Sequence, residues 1–200
     1  FGAVKIRFGR RDPASDLATL EAVRREVGER IKVMVDVNQG WSRAQAHRYG
    51  PRLAEFDVEW LEEPLAAGDI EGLAELRREL PVPITAGENV YLPEGVADLL
   101  NARAVSVVMP DLQRVGGITG WIRANALAET ASIPITSHLF PEVSIHLLAA
   151  SRIAGPLEWV TWLVPVLAEP LMITNGTVTV PDRPGLGIAF DPAAVQRYRL

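Results

Sequence analysis

Two spacings of apolar residues alternate along the chain. Short runs that are almost continuously apolar are followed by longer stretches in which apolar residues recur every three or four positions. The first spacing predicts strands buried on both faces, and the second predicts amphipathic helices. The predicted strands are AVKIRF, KVMVDV, VEWLEEP, VPITAGE, AVSVVMPD, IPITSH and LEWV. The predicted helices cover residues 17–30, 43–56, 70–80, 93–100, 118–130 and 143–153. This alternation is typical of βα units around a parallel sheet.

Local signals mark where some helices begin and where one is interrupted. Ser15, Ser42 and Asp69 stand in predicted N-cap positions. The pair Gly50-Pro51 predicts a kink or break in the second helix, because proline lacks the N–H that continues a helix. Residues 177–200 depart from the alternation, since TVTV and GLGIAF flank a turn rich in proline, and we expect them to belong to a different substructure.

Polar residues follow the ends of the predicted strands at similar intervals. They are Lys5 and Arg7, Asp36 and Asn38, Glu62, Glu88, Asp111, His138 and Glu158. The steps from one strand end to the next are 20 to 29 residues. The carboxyl ends of the strands form the active-site face of a (β/α)8 barrel. The sequence therefore predicts an α/β fold, a (β/α)8 TIM-type barrel, with ionisable residues gathered at one face.

Three of these residues, Asp36, Glu62 and Glu88, are carboxylates on consecutive strand ends. Carboxylates converge only around a cation, and Mg²⁺ suits them because it prefers oxygen ligands in octahedral geometry. Zinc fits less well, since the chain has three histidines and no HxH or HExxH pattern. VEWLEEP by itself allows another interpretation, in which its acidic residues cap the next helix. Beside the other two carboxylates, Glu62 is predicted to be the ligand, and Glu63 to orient its neighbours or cap that helix.

The remaining polar strand ends suit proton transfer and anion binding. A histidine such as His138 has a structural interpretation, but Asp111 at the preceding strand end can bond one ring nitrogen and leave the other as a base. Lys5 and Arg7 lie two positions apart on one strand and share a face, where buried cations require anions. A carboxylate substrate would meet that requirement, with Glu158 donating a hydrogen bond if it is protonated.

Composition narrows the classes of partner. Hydrophobic residues make up 48% of the 200 residues, and acids and bases are mixed along the chain with a net charge of −5. The chain shows no basic stripe for nucleic acid, and its longest apolar run is far shorter than the roughly 20 residues of a membrane span. The sequence has no cysteine, so disulfide and thiol chemistry are excluded, and the cytoplasm is the default expectation. His47 and His146 lie within predicted helices and are interpreted as structural or exposed. We expect a small-molecule partner, with no nucleic acid and no membrane.

Seven motifs occur in a fixed order along the chain: KIR, DVN, EEP, GEN, MPDLQRVGGITGW, SHLFPE and LEW. With these spacings the chain resembles the mandelate racemase subgroup of the enolase superfamily over nearly its whole length. The resemblance assigns Asp36, Glu62 and Glu88 as Mg²⁺ ligands, Asp111 and His138 as the base, Lys5 and Glu158 to the substrate carboxylate, and Asn38 to the α-hydroxyl. Glutamate as the third ligand, and Asp111 where the muconate-lactonising subgroup has lysine, favour the racemase-like branch. The resemblance also implies a homo-oligomer.

The family reaction removes the proton α to a carboxylate and forms an enediolate, whose charge Mg²⁺ and Lys5 would stabilise while His138 takes the proton. Arg7 stands where the racemase has a lysine that serves the second face of the substrate. A guanidinium stays protonated, so Arg7 is a poor base but can bind substrate oxygens. We therefore expect one-base dehydration of a hydroxy or sugar acid to a 2-keto-3-deoxy acid. A racemase or epimerase of a 2-hydroxy acid, and a non-catalytic fragment without a cap, remain as alternatives.

The resemblance also carries an expectation about domains. In the family, a capping domain precedes the first barrel strand, whereas this chain opens at what resembles the second strand. Residues 1–176 are then expected to supply strands two to eight, and residues 177–200 to complete the capping domain. The barrel would lack its first strand and the N-terminal capping domain, which leaves an open seam, and we expect upstream sequence to supply them.

Overall fold

Strands and helices alternate through most of the molecule, in the order that the apolar pattern predicts. The computed structural model of the chain describes residues 1–9 and 13–199. The strands are β1 (Ala3–Arg7), β2 (Lys32–Asp36), β3 (Val58–Glu62), β4 (Ile84–Ala86), β5 (Val107–Val108), β6 (Ile173–Thr174) and β7 (Thr177–Val178). The α-helices are α1 (Pro13–Val27), α2 (Arg43–Tyr49), α3 (Ile70–Glu79), α4 (Leu92–Asn101), α5 (Gly117–Ala131), α6 (Pro141–Ala150) and α7 (Pro192–Arg197). Two 3₁₀-helices cover Gly50–Phe56 and Val164–Val166.

Five parallel strands form one sheet in the order β1-β2-β3-β4-β5. Strands β2, β3 and β4 are buried along nearly their whole length, in agreement with their apolar sequences. Strand β1 is half-buried, and within the described residues it pairs on one side only. The core contains fully buried side chains from helices and strands alike, among them Leu20, Leu61 and Leu99. The predicted α/β fold with a parallel sheet is confirmed.

Beyond β5, the described residues continue the sheet only through isolated parallel bridges, so IPITSH and LEWV do not form the strands that the sequence predicts. Ile135 in IPITSH bridges Val108 on one side and Ala154 on the other. Residues 157–160, all of which the structure describes, form no strand. Proline at positions 134 and 156 removes ladder donors, and the Glu158 N–H donates to the Ser137 hydroxyl at 2.9 Å. Some backbone N–H groups of these segments therefore donate hydrogen bonds to side chains rather than to a neighbouring strand.

Two of the three predicted helix caps are confirmed. The Ser42 hydroxyl accepts from the Gln45 N–H, while the Gln45 side chain accepts from the Ser42 N–H. The Asp69 carboxylate accepts from the Gly72 N–H at the start of α3. Ser15 is not a cap, because α1 already begins at Pro13, where the fixed φ of proline suits the first helical position.

The predicted break at Gly50-Pro51 is also confirmed. Helix α2 ends at Tyr49, and the chain continues as a 3₁₀-helix to Phe56. A Cβ atom at position 50 would lie 2.6 Å from Leu80 Cδ1. Glycine therefore allows the helix to end in close contact with the segment after α3.

The C-terminal part of the molecule forms a separate two-stranded sheet. Strands β6 and β7 pair antiparallel through a turn at Asn175 and Gly176, both of which have positive φ. This hairpin crosses the expected boundary between residues 176 and 177. GLGIAF contributes one bridge, between Phe190 and Leu167, and α7 follows. Leu200 lies outside the described residues. Among the described helices, none is both long and apolar enough to cross a membrane.

Candidate active site

Strand register places the first site residues side by side. Arg7 is the register partner of Asp36, and Asp36 is the partner of Glu62. Neighbouring strands lie about 4.8 Å apart, so side chains at partnered positions lie next to each other on one face. Glu88 follows β4 after Gly87, whose φ is 140°. A Cβ atom on Gly87 would lie 3.0 Å from the Met109 backbone, so glycine allows this close approach.

The carboxylates of Asp36, Glu62 and Glu88 converge at this face. One oxygen atom of each lies within 4.8 Å of the others, and all three side chains are buried. Three oxygen donors at this separation fit a hard divalent cation such as Mg²⁺. Each carboxylate also contacts a different nitrogen-bearing side chain, and Arg7 and Lys5 are the contacts of Asp36 and Glu62. The distances are 3.1 Å from Arg7 Nη2 to Asp36 Oδ2, 2.7 Å from Lys5 Nζ to Glu62 Oε1, and 3.2 Å from His138 Nε2 to Glu88 Oε2.

Burial and charge together set the protonation of Lys5 and Glu62. Glu62 is fully buried, and this desolvation raises its pKa to about 8 against the opposing effect of Lys5. Burial alone would lower the pKa of Lys5, but the carboxylates of Glu62 and Glu158 together hold that pKa above its ordinary value. Lys5 Nζ lies 2.6 Å from Glu158 Oε1. Lys5 is therefore charged at neutral pH, whereas Glu62 must lose a proton before it can bind a cation.

Asp111 and His138 form a hydrogen-bonded pair beside this cluster. A parallel bridge joins their backbones, and His138 Nδ1 lies 2.8 Å from Asp111 Oδ2. The other oxygen, Asp111 Oδ1, accepts from the backbone N–H groups of Gln113 and Arg114, each at 2.9 Å. These bonds orient the Asp111 carboxylate, which in turn orients the imidazole with Nε2 towards Glu88. The structure brings the two residues together as the sequence predicts.

The other predicted substrate contacts lie around the same cluster. Glu158 Oε1 contacts Lys5, and Glu158 Oε2 accepts from the Leu139 N–H at 2.6 Å. Both oxygens of Glu158 thus accept hydrogen bonds here, whereas the sequence interpretation made Glu158 a donor if it is protonated. Asn38 is exposed with a φ of 45°, and its N–H donates to Asp36 Oδ1 at 2.8 Å. The Arg7 side chain is 58% exposed, so Arg7 and Asn38 flank the cluster on its solvent side.

Sequence reasoning missed two residues that contact the predicted ligands. Trp60 Nε1 donates to Glu62 Oε2 at 3.1 Å. Trp60 precedes Glu62 by two positions on a strand, so the alternation of side chains could have identified it. Asn89 Nδ2 lies 2.6 Å from Glu63 Oε2 and 3.1 Å from Glu88 Oε1. Its place next to Glu88, within the GEN motif, was its signal in the sequence.

The two interpretations of Glu63 can now be separated. Asp69 caps the following helix, so the capping interpretation of Glu63 is wrong. Glu63 instead bonds to Asn89 and so orients a neighbour, as the other interpretation expected. Its pKa is raised to about 7 because burial desolvates the carboxyl, an effect that the Asn89 hydrogen bond opposes and the charge of Glu88 adds to.

The other two histidines lie away from this site. His47 on α2 contacts Glu75 and Glu79 on α3, at 3.5 and 3.3 Å. Ligand atoms of these three residues lie within 4.8 Å of one another, but Glu75 also pairs with the Arg43 guanidinium at 3.3 Å, so these contacts link two helices. His146 Nε2 lies 3.0 Å from the Leu186 carbonyl oxygen. Both contacts are structural, as expected.

The family described as enolase C-terminal domain-like matches residues 1–194. The chain belongs to this family. The resemblance of the enolase-like chain to mandelate racemase and muconate-lactonising enzymes is thereby confirmed, together with the TIM-barrel fold class. The sheet of five parallel strands and the bridges after β5 are the described part of that barrel.

Named relatives of this enolase-like chain include sugar-acid enzymes. It is 37% identical to the L-talarate/galactarate dehydratase of Salmonella typhimurium, over 96% of the chain and 48% of that protein. It is 34% identical to the 3,6-anhydro-alpha-L-galactonate cycloisomerase of Streptomyces coelicolor, over 96% of the chain and 53% of that protein. Among solved structures, L-talarate dehydratase from Polaromonas sp., complexed with Mg and L-glucarate, has a TM-score of 0.93 and 38% identity, over 98% of the chain and 52% of that structure. The chain thus spans about half the length of these relatives.

Proposed function

We propose that this chain provides the active site of a Mg²⁺-dependent enzyme, a lyase or isomerase, that removes the proton α to a carboxylate. The favoured reaction is dehydration of a hydroxy or sugar acid to a 2-keto-3-deoxy acid. The observation that carries the proposal is the convergence of Asp36, Glu62 and Glu88 within 4.8 Å, with His138 Nε2 at 3.2 Å from Glu88. A proton acceptor thus lies beside a site suited to a divalent cation, which is the arrangement that α-proton abstraction needs.

The three carboxylates would hold Mg²⁺, since each offers a buried oxygen and the group has no softer donor. When bound, the ion would supply Lewis-acid stabilisation of the negative charge that develops on the substrate carboxylate. Trp60 would keep Glu62 in place through its indole N–H. Lys5 is charged and lies against Glu62 and Glu158, so its ammonium would face the same developing charge.

His138 is the proposed base. Its Nδ1 bonds to Asp111, which fixes the ring and leaves Nε2 to accept a proton. In the dehydration, the C–H bond at the α-carbon breaks, its electron pair forms the new carbon–carbon double bond, and the C–O bond at the β-carbon breaks. The proton on His138 then passes to the departing hydroxyl, which leaves as water. The resulting enol tautomerises to the 2-keto-3-deoxy acid, so one residue serves as base and then as acid.

Arg7 favours this one-base reaction over racemisation. A two-base racemase needs a second group that takes or gives a proton on the opposite face of the substrate. The guanidinium of Arg7 keeps its proton, and it lies at the exposed side of the cluster with Nη2 on Asp36. Arg7 and Asn38 would instead bind oxygen atoms of the substrate. The 37% identity to a sugar-acid dehydratase supports the same choice.

Isomerisation is the second candidate function. It is supported by the 34% identity to a cycloisomerase, and by a solved racemase from Streptomyces coelicolor with bound magnesium at 34% identity. In a racemase or epimerase the α-proton would be replaced after its removal, and no water would be lost. Both candidates use the same base and the same carboxylates.

Proton NMR in D₂O tests the proposal. The full-length protein is incubated with Mg²⁺ and a panel of hydroxy and sugar acids that includes galactarate and L-talarate. Loss of substrate with a new 2-keto-3-deoxy signal is expected. Deuterium at the α-carbon without water loss would identify the isomerase instead. No turnover on a panel that also contains lactones and cyclic acids would favour a non-catalytic protein. His138→Asn should lower turnover by about 10³-fold, whereas His47→Asn, at a histidine outside the site, should not.

A further inference from the structure

Glu63 and Asn89 form a buried pair next to the proposed third ligand. We propose that these two residues position the Glu88 carboxylate for metal binding, an inference that rests on the proposed function. Neither residue is one of the three converging carboxylates, and the proton transfer does not use them. Their proposed role is to act through Glu88.

The backbone of Glu63 is held on both sides. Its N–H donates to the Thr85 carbonyl oxygen at 2.9 Å, and its own carbonyl oxygen accepts from the Gln39 N–H at 2.7 Å. Its φ is 40°, a left-handed conformation that most residues avoid. A strained backbone of this kind persists when its surroundings fix it, and such residues are often found at functional sites. The backbone that carries the Glu63 side chain is therefore held in one conformation.

One amide group joins two carboxylates. The Asn89 amide nitrogen lies 2.6 Å from Glu63 Oε2 and 3.1 Å from Glu88 Oε1. The amide carries two hydrogen atoms, so it can donate one to each carboxylate. Glu63 thereby fixes the direction of the amide, and the amide fixes one oxygen of Glu88.

The other oxygen of Glu88 faces the proposed base. Glu88 Oε2 lies 3.2 Å from His138 Nε2. The Glu88 carboxylate thus has one oxygen bonded to Asn89 and the other facing the proposed base. A hydrogen bond such as the one from Asn89 orients a ligating carboxylate and strengthens metal binding.

A role in stability alone explains Glu63 poorly. The residue is 1% exposed, and its Oε1 finds no hydrogen-bond partner among the described residues. A buried carboxyl oxygen without a partner lowers stability. The next helix already has Asp69 as its cap, so Glu63 is not needed there. What remains is its bond to Asn89 and, through Asn89, the orientation of Glu88.

Metal-binding measurements on the full-length protein test the proposal without a substrate. Titration calorimetry with Mg²⁺ gives the Kd, and the electron paramagnetic resonance spectrum of bound Mn²⁺ reports the symmetry of the ligand shell. The variants are Asn89→Leu, Asn89→Ser, Glu63→Leu and the double variant Glu63→Leu/Asn89→Leu, with Glu63→Gln as the conservative change. Asn101→Leu, at an exposed asparagine on α4, is the matched control.

Each single disruptive variant is expected to raise the Kd for Mg²⁺ by about 10- to 100-fold and to broaden the Mn²⁺ spectrum. The double variant should have a Kd for Mg²⁺ no higher than that of the single variant that binds less tightly, because Glu63 acts on Glu88 through Asn89. Glu63→Gln keeps an acceptor for the amide and should stay within about threefold of the wild type. Thermal unfolding identifies any variant that fails to fold, and Asn89→Ser then replaces Asn89→Leu.

Wild-type affinity in the folded Asn89 and Glu63 variants would overturn the positioning role. Additive losses in the double variant would also overturn it. Failure of the proposed function would look different. Absence of Mg²⁺ binding by the wild type would remove both proposals, whereas binding without turnover on the acid panel would remove only the reaction.

Discussion

The affinity for Mg²⁺ is expected to rise with pH, because Glu62 must lose a proton to act as a ligand. Burial raises the pKa of this carboxyl to about 8. Below that pH the proton competes with the metal, so the affinity falls as the pH is lowered and levels off above about pH 8. With this pKa, about one Glu62 side chain in a hundred is ionised at pH 6, and about half are ionised at pH 8. The Kd should therefore fall roughly 50-fold over this range, equivalent to about 2 kcal/mol. Glu62 is fully buried, so water does not screen the effect.

Titration calorimetry at pH 6, 7, 8 and 9 measures both the affinity and the protons released. Repeating each titration in two buffers of different ionisation enthalpy gives the proton count, which should be close to one at pH 6 and about one half at pH 8. Glu63, with its pKa raised to about 7, lies near the ligands and can add to this count, and His138 contacts the ligand Glu88. The same titrations in Glu63→Gln and His138→Asn isolate the contribution of Glu62. A Kd that stays constant from pH 6 to pH 8 in both variants, with no proton released, would refute the reasoning.

Three further outcomes are expected. His138→Asn should lower kcat by about 10³-fold while changing the Kd for Mg²⁺ at pH 8 by less than about threefold, and an intact rate would contradict the role of base. The free energy of unfolding of Glu62→Gln should increase relative to that of the wild type as the pH rises from about 5 to about 8, by about 1 kcal/mol per pH unit. The reason is that the raised pKa makes ionisation of Glu62 unfavourable in the folded protein. Urea unfolding without metal measures this difference, and a difference that does not change with pH would argue against it. Gly120→Ala should lower Tm by several degrees, since a Cβ atom there would lie 1.9 Å from the Val115 carbonyl oxygen, whereas Gly68→Ala meets no atom within 4 Å and should have little effect.

The strands and the residues at their ends could be predicted because burial on both faces leaves a clear signal. KVMVDV and VEWLEEP are almost continuously apolar up to Asp36 and Glu62, and these carboxylates lie at the carboxyl ends of β2 and β3. The end of helix α2 at Gly50-Pro51 and the Asp69 cap could be predicted for a related reason, since each depends on a few neighbouring residues. Local chemistry was sufficient for these features.

The last two strands could not be predicted correctly from composition. IPITSH and LEWV have the apolar character of strands, yet only bridges form in the first and no strand forms in the second. Whether such a segment becomes a strand depends on the partner it meets across the sheet. Here the Glu158 N–H donates a hydrogen bond to the Ser137 hydroxyl, and the Glu158 carboxylate forms an ion pair with Lys5 on the first strand.

The sequence by itself determined which residues reach the strand ends, because alternation and spacing along the chain fix which side chains point to one face. Only the tertiary structure decided which of them touch. Lys5 and Glu158 are far apart in sequence and lie 2.6 Å apart in space. The contacts from Asn89 to Glu63, at 2.6 Å, and from His138 to Glu88, at 3.2 Å, also join residues that are distant in sequence. These pairings depend on strand register and on the curvature of the sheet, which arise from packing of the whole chain and leave no local mark in the sequence.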